Sequence, residues 1–99
     1  QSRSSAASDV YKRQYLHRYL YKATYQLLYD VLEEKAKGMV IREEDKAFIA
    51  NFYKYGFVGL LLEWIDNGMK DEPALIVERL NSLIQGNFEQ ALNNAKLNK

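Results

Sequence analysis

No cysteine occurs in the chain. Disulfides, thiol nucleophiles and Cys-ligated zinc are thereby excluded. Proline occurs once, at Pro73, and histidine once, at His17. So little proline leaves long stretches free to run as helix. A lone histidine lacks the nucleophile or acid partner that catalytic work requires, and it is read as a surface or satisfied residue. Neither sign of charge dominates: 14 Lys and Arg stand against 13 Asp and Glu, a net charge of +1. That is not the basic stripe expected of a chain whose main task is binding nucleic acid. No apolar run approaches the ~20 residues that cross a bilayer, and the N-terminus has no apolar core of a secretory signal. A cytoplasmic protein with no membrane partner is the expectation. HExxH, phosphate-loop and dinucleotide motifs are also missing, so no metal, no cofactor and no enzyme activity are expected. At 99 residues the chain is one domain with a modest core.

What is present centres on residues 52–69, Phe-Tyr-Lys-Tyr-Gly-Phe-Val-Gly-Leu-Leu-Leu-Glu-Trp-Ile-Asp-Asn-Gly-Met. From Tyr55 to Leu62 no residue is charged, whereas a surface helix would show polar residues all along one face. A helix apolar all round must be covered on more than one side. Gly56 and Gly59 sit inside it. Glycine in a helix costs about 1 kcal/mol against alanine, so the pair is read as a place where another helix comes close. Trp64 is read as an anchor of this helix, with its indole N–H at a polar rim.

Taken in order, residues 1–9 are small and polar without periodicity and are expected to be a disordered or non-native tail. From Val10 to Lys37 nothing breaks a helix, and Leu16, Leu20, Ala23 or Thr24, Leu27 and Val31 form its expected core stripe, widened by Tyr15, Tyr19, Tyr25, Leu28, Tyr29 and Leu32. Gly38 is the expected stop. The second helix is expected over residues 44–67, ending at Asn67-Gly68, and the third over 73–85, opened by Pro73 and closed by Gly86. Residues 88–95 form one more weak amphipathic segment, and 93–99 are expected to fray. Glu33-Glu34, Glu43-Glu44-Asp45 and Asp71-Glu72 fall at helix ends, where dipole compensation is their expected role. Lys12, Arg13, Arg18 and Lys22 are read as a solvated face. The fold class is all-α, an antiparallel bundle of about three long helices.

The pattern Phe52-Tyr53-x-Tyr55-Gly56-x-Val58-Gly59, then Glu63-Trp64 and Gly68-Met69, then acidic residues and an apolar helix, resembles the C-terminal regulatory domain of TetR-type transcriptional repressors, in the variety common in Firmicutes. The resemblance runs from Phe52 to about Ile84. It implies an all-helical domain whose last two helices, from each of two subunits, form a four-helix homodimer interface. It also implies an effector pocket beside a preceding helix. By the same resemblance the helix-turn-helix reader of DNA is absent from residues 10–99, and DNA would be bound only through such an N-terminal domain. Tyr15, Tyr19, Tyr25, Tyr29, Phe52 and Tyr55 are the candidate ligand-binding residues. Gly56, Gly59, Leu60, Glu63, Val77, Leu80 and Ile84 are the candidate dimer residues. The alternative reading is a stand-alone helical module that binds another protein.

Overall fold

The computed structural model describes residues 2–97, with side-chain surroundings from Ala7 onward. Among these there are four helices and no strand: α1 (Ser2–Lys35), α2 (Glu43–Asp66), α3 (Pro73–Ile84) and α4 (Asn87–Ala95). The all-α expectation holds, and the long helices end within three residues of the stops read from glycine. The start of α1 is the exception. Residues 2–9, expected to be a disordered or non-native tail, are helical. No Gly or Pro interrupts them, Ala6 and Ala7 are strong helix formers, and extending an existing helix adds a hydrogen bond for every residue fixed.

The helix ends are set by local chemistry. Gly38 takes φ 85° and closes α1, with the Met39 amide donating to the Ala36 carbonyl. At the end of α2 the Met69 amide donates to the Trp64 carbonyl at 2.9 Å and the Gly68 amide to the Ile65 carbonyl at 3.0 Å. Gly68 is left-handed at φ 84°, and together these make a Schellman stop. No side chain caps the start of α2, but Glu43, Glu44 and Asp45 occupy its first turn, where negative charge offsets the helix dipole.

α1 and α2 run antiparallel. Arg13 meets Asp66 at 3.9 Å at one end, and Glu33 meets Lys46 at 3.0 Å at the other. The first turns of α1 therefore run past the end of α2. The core is built on Leu28, Leu32 and Ala36 of α1 and its C-terminal turn, Ala50 of α2, and Phe88 and Leu92 of α4. Leu32, Ala50 and Leu92 are completely buried.

This corrects two sequence readings. The expected stripe of α1 is not the buried one: Leu27 is 66% exposed and Leu16 39%, while the residues that were to widen it, Leu28 and Leu32, form the core. At 3.6 residues per turn the two stripes lie roughly a third of a turn apart. α1 is apolar on both, and contact with the small Ala50 selects the second. The C-terminal segment is also firmer than expected. Tyr53 meets Phe88 edge-on at 4.8 Å, Lys35 pairs with Glu89 at 2.7 Å, and the Leu97 amide donates to the Val40 carbonyl at 2.8 Å. Only residues 98–99 of the expected fraying end lie outside the described residues.

α3 is the contrast. None of its twelve residues is buried. It is held to α2 through the linker, where the Trp64 indole N–H donates to the Asp71 carbonyl at 2.8 Å, and through Ile84, which packs on the core. The Cα radius of gyration is 17.1 Å, against about 13 Å for a compact domain of this size.

Candidate functional site

Two features lie outside the core: a hollow between α1 and α2, and an uncovered face on α2 and α3. The hollow lies where antiparallel packing brings the middle of α1 opposite the middle of α2, with the Tyr21 and Tyr55 rings meeting at 5.7 Å between them. It measures about 720 Å³, opens to solvent, and is lined by His17, Arg18, Tyr21, Lys22, Tyr25, Asn51 and Lys54. At its wall the Lys54 ammonium lies 4.2 Å from the Tyr55 ring centroid, 5.6 Å from Tyr25 and 5.7 Å from Tyr21. It also donates to the Asn51 Oδ1 at 2.9 Å. Ring faces carry negative charge density and attract a cation at such distances.

One turn further along α1, Tyr29 stacks with Tyr25 at 5.9 Å and donates its hydroxyl to the Glu43 carboxylate. That bond pushes the Tyr29 phenol well above its ordinary pKa and holds the Glu43 carboxyl below the usual range. Buried Lys46 bridges Glu33 at 3.0 Å and Glu43 at 3.2 Å, and these bonds outweigh desolvation to raise its pKa. This group is a clasp between α1 and α2 with every polar partner supplied.

The six candidate ligand residues are therefore not gathered in one cavity. Tyr25 and Tyr55 converge on Lys54. Tyr29 belongs to the clasp. Tyr15 is 64% exposed and Tyr19 58%, because both fall roughly a third of a turn or more from the α1 face that meets α2. Tyr15 borders a separate surface hollow with Ser8, Tyr11, Lys12 and Arg18. Phe52 is 68% exposed and leans edge-on against Tyr53 at 5.3 Å. The expected aromatic pocket over the apolar run of α2 is thus replaced, in the single chain, by a basic hollow centred on Lys54. Sequence reading passed over Lys54, Asn51 and Tyr21. The available signal was the spacing of Asn51, Lys54 and Tyr55 on one helix, and it becomes meaningful only with the register against α1.

The second feature is apolar. Phe57, Leu61, Trp64, Pro73, Ile76 and Val77 line most of a hollow of about 240 Å³ between α2 and α3. Three candidate dimer residues, Leu60, Val77 and Leu80, are part of its lining: Leu60 is 45% exposed and Val77 63%, Leu80 is half-buried, and Glu63 on α2 is exposed. A side chain added at Gly56 or Gly59 would meet nothing within 4 Å. Within its own chain, nothing requires glycine at either position. Ile84 differs from the others, since it turns toward the core.

An all-α chain with a hollow between antiparallel helices and an uncovered apolar face has the make-up of a helical regulatory domain. The family profile described as transcriptional regulator C-terminal region matches residues 6–86, and the chain belongs to this TetR-type family. No curated protein and no solved structure matches it. No described helix is long and apolar enough to cross a membrane.

Proposed function

We propose that this domain dimerises a TetR-type regulator through α2 and α3 and responds to a small effector held between α1 and α2. In this reading it acts in the cytoplasm, and DNA is read by a helix-turn-helix unit outside residues 10–99. The observation that carries the dimer is the surface left uncovered. The chain exposes 7755 Å², whereas a folded monomer of 11.6 kDa exposes roughly 5,800 Å². The excess is shared between the projecting start of α1, where Val10, Tyr11 and Tyr15 are exposed, and the α2–α3 face, and is of the size that a large, permanent interface removes from each partner. It includes Val77 and Leu83 of α3, a helix too short to be stable without packing. Gly56 and Gly59 support a close approach by a second α2. Effector binding that favours one arrangement of α1 against α2 would shift the population of dimer geometries, and with it the spacing of the DNA readers.

Sedimentation velocity tests the dimer. The wild type is expected to sediment as a dimer, and Gly59→Leu and Leu80→Glu as monomers or aggregates, since overpacking alone costs about 1–3 kcal/mol at each copy of the site. A wild type that stays monomeric at high micromolar concentration removes the interface. A partner of different sequence that covers the same face would instead favour the stand-alone interaction module.

A further inference from the structure

The hollow between α1 and α2 is unusual in its charge. Its lining brings together Arg18, Lys22, Lys54 and His17, and contains no carboxylate. Three cations at other helix contacts have anionic partners: Lys46 has Glu33 and Glu43, Lys35 has Glu89, and Arg13 has Asp66. Lys54 is half-buried, and among the described residues it meets only neutral groups, the Asn51 amide oxygen and three tyrosine rings. An ammonium has three N–H donors, and Asn51 takes one. Ring faces offset part of the cost of drawing the charge out of water but supply no strong acceptor for the remaining donors.

We infer that this hollow is a binding site for a small organic anion, a carboxylate or phosphate with a flat apolar body. The anionic head would accept from Lys54 and from the Arg18 guanidinium, whose fork matches either head group. The body would lie along Tyr21 and Tyr25. The hollow, about 720 Å³ and open to solvent, has room for a ligand of this kind. The inference rests on the effector reading above and narrows it from any ligand to an anionic one. The location also suits a sensor, because Tyr55, which covers Lys54 on one side, is next to Gly56 on the proposed dimer face.

The test is titration calorimetry of the full chain with benzoate, inorganic phosphate and the neutral analogue benzyl alcohol, at matched ionic strength. Saturable binding of benzoate or of phosphate is expected. Benzoate alone would identify an aromatic carboxylate, and phosphate alone a phosphate head. Losing a charge-assisted hydrogen bond should weaken binding about tenfold in Lys54→Met. Lys54→Arg should retain it, and Lys70→Met, an exposed lysine outside the hollow, should leave it unchanged. Thermal melting of each variant checks that it is folded. Benzyl alcohol binding as tightly as benzoate overturns the anion assignment while leaving a ligand-responsive domain. Equal losses in Lys54→Met and Lys70→Met show general charge attraction and also overturn it. No binding of either anion by a wild type that sediments as a dimer overturns the site without touching the dimer, and a monomeric wild type that binds benzoate at Lys54 does the reverse.

Discussion

The two ends of α2 have opposite fates. One face of its first half is closed by its own chain, with Ala50 completely buried among residues of α1 and α4 and Lys46 clasped by two carboxylates, while Phe48 and Phe52 on the other face stay exposed. Its second half carries the uncharged run, yet Leu60 remains 45% exposed and α3 beside it buries nothing. Within the uncharged run Val58 is buried, but most of the residues around it are less covered than the face that carries Ala50 and Lys46. A chain folded for itself alone would place its most apolar segment at the centre of its core. On the proposed dimer reading, the core is divided between what the chain closes and what a second copy completes.

The contrast can be broken most severely at the closed end. Leu32→Ala removes a completely buried side chain and is expected to cost about 2–5 kcal/mol, measured by urea unfolding. The equivalent truncation at the open end, Leu83→Ala at a residue 71% exposed, is expected to leave the unfolding of the isolated chain nearly unchanged. Leu80→Glu should act on association instead, with at least a tenfold weaker dimer, or about 1.4 kcal/mol, read by sedimentation equilibrium. Equal effects of Leu32→Ala and Leu83→Ala on unfolding would erase the distinction.

Smaller effects sharpen it. Lys35→Met breaks a solvent-screened pair with Glu89 and is expected to lower the melting temperature only slightly, through α4 alone. The clasp gives the closed end its pH dependence. Glu43 and Glu89 carboxyls are held below their ordinary 4.5, so their contribution is present above that value and is lost as pH falls below it. Lys46 is raised above its ordinary 10.5 and Tyr29 above 10.0, so their contributions are present below those values and are lost as pH rises through the folded ones. Melting temperature is expected to be flat between these limits and to fall at both ends. Glu43→Gln should flatten the acid side.

Much of this was legible in the sequence because it is local. Gly38, Gly68 and Gly86 mark helix ends through their own backbone conformation, and Pro73 opens α3 where its missing N–H is not needed. Trp64 proved to be an anchor, its indole N–H bound at the linker. What was not legible depends on register. α1 has two apolar stripes, and periodicity does not say which one meets Ala50. The surroundings of Lys54 come from two helices, and neither alone points to an anion. Phe88 and Leu92 sit in a short, polar segment whose burial is decided by the space left beside Leu32. The helical run through residues 2–9 was hidden by composition, since serine-rich stretches serve equally in tails and in helices that extend from a stable neighbour.

The central claim, that a second copy covers the glycine stripe of α2, is tested most directly by Gly59→Ala in sedimentation equilibrium. In the single chain an added Cβ at this position meets nothing within 4 Å. If Gly59 faced only solvent, alanine would strengthen the helix by about 1 kcal/mol and leave the association state unchanged. The expected result is the opposite: a wild type that dimerises and a Gly59→Ala protein whose dimer dissociates at least several-fold more readily, the added methyl pressing on the partner helix at both copies of the contact. An unchanged dissociation constant, or a wild type that remains monomeric, would contradict it.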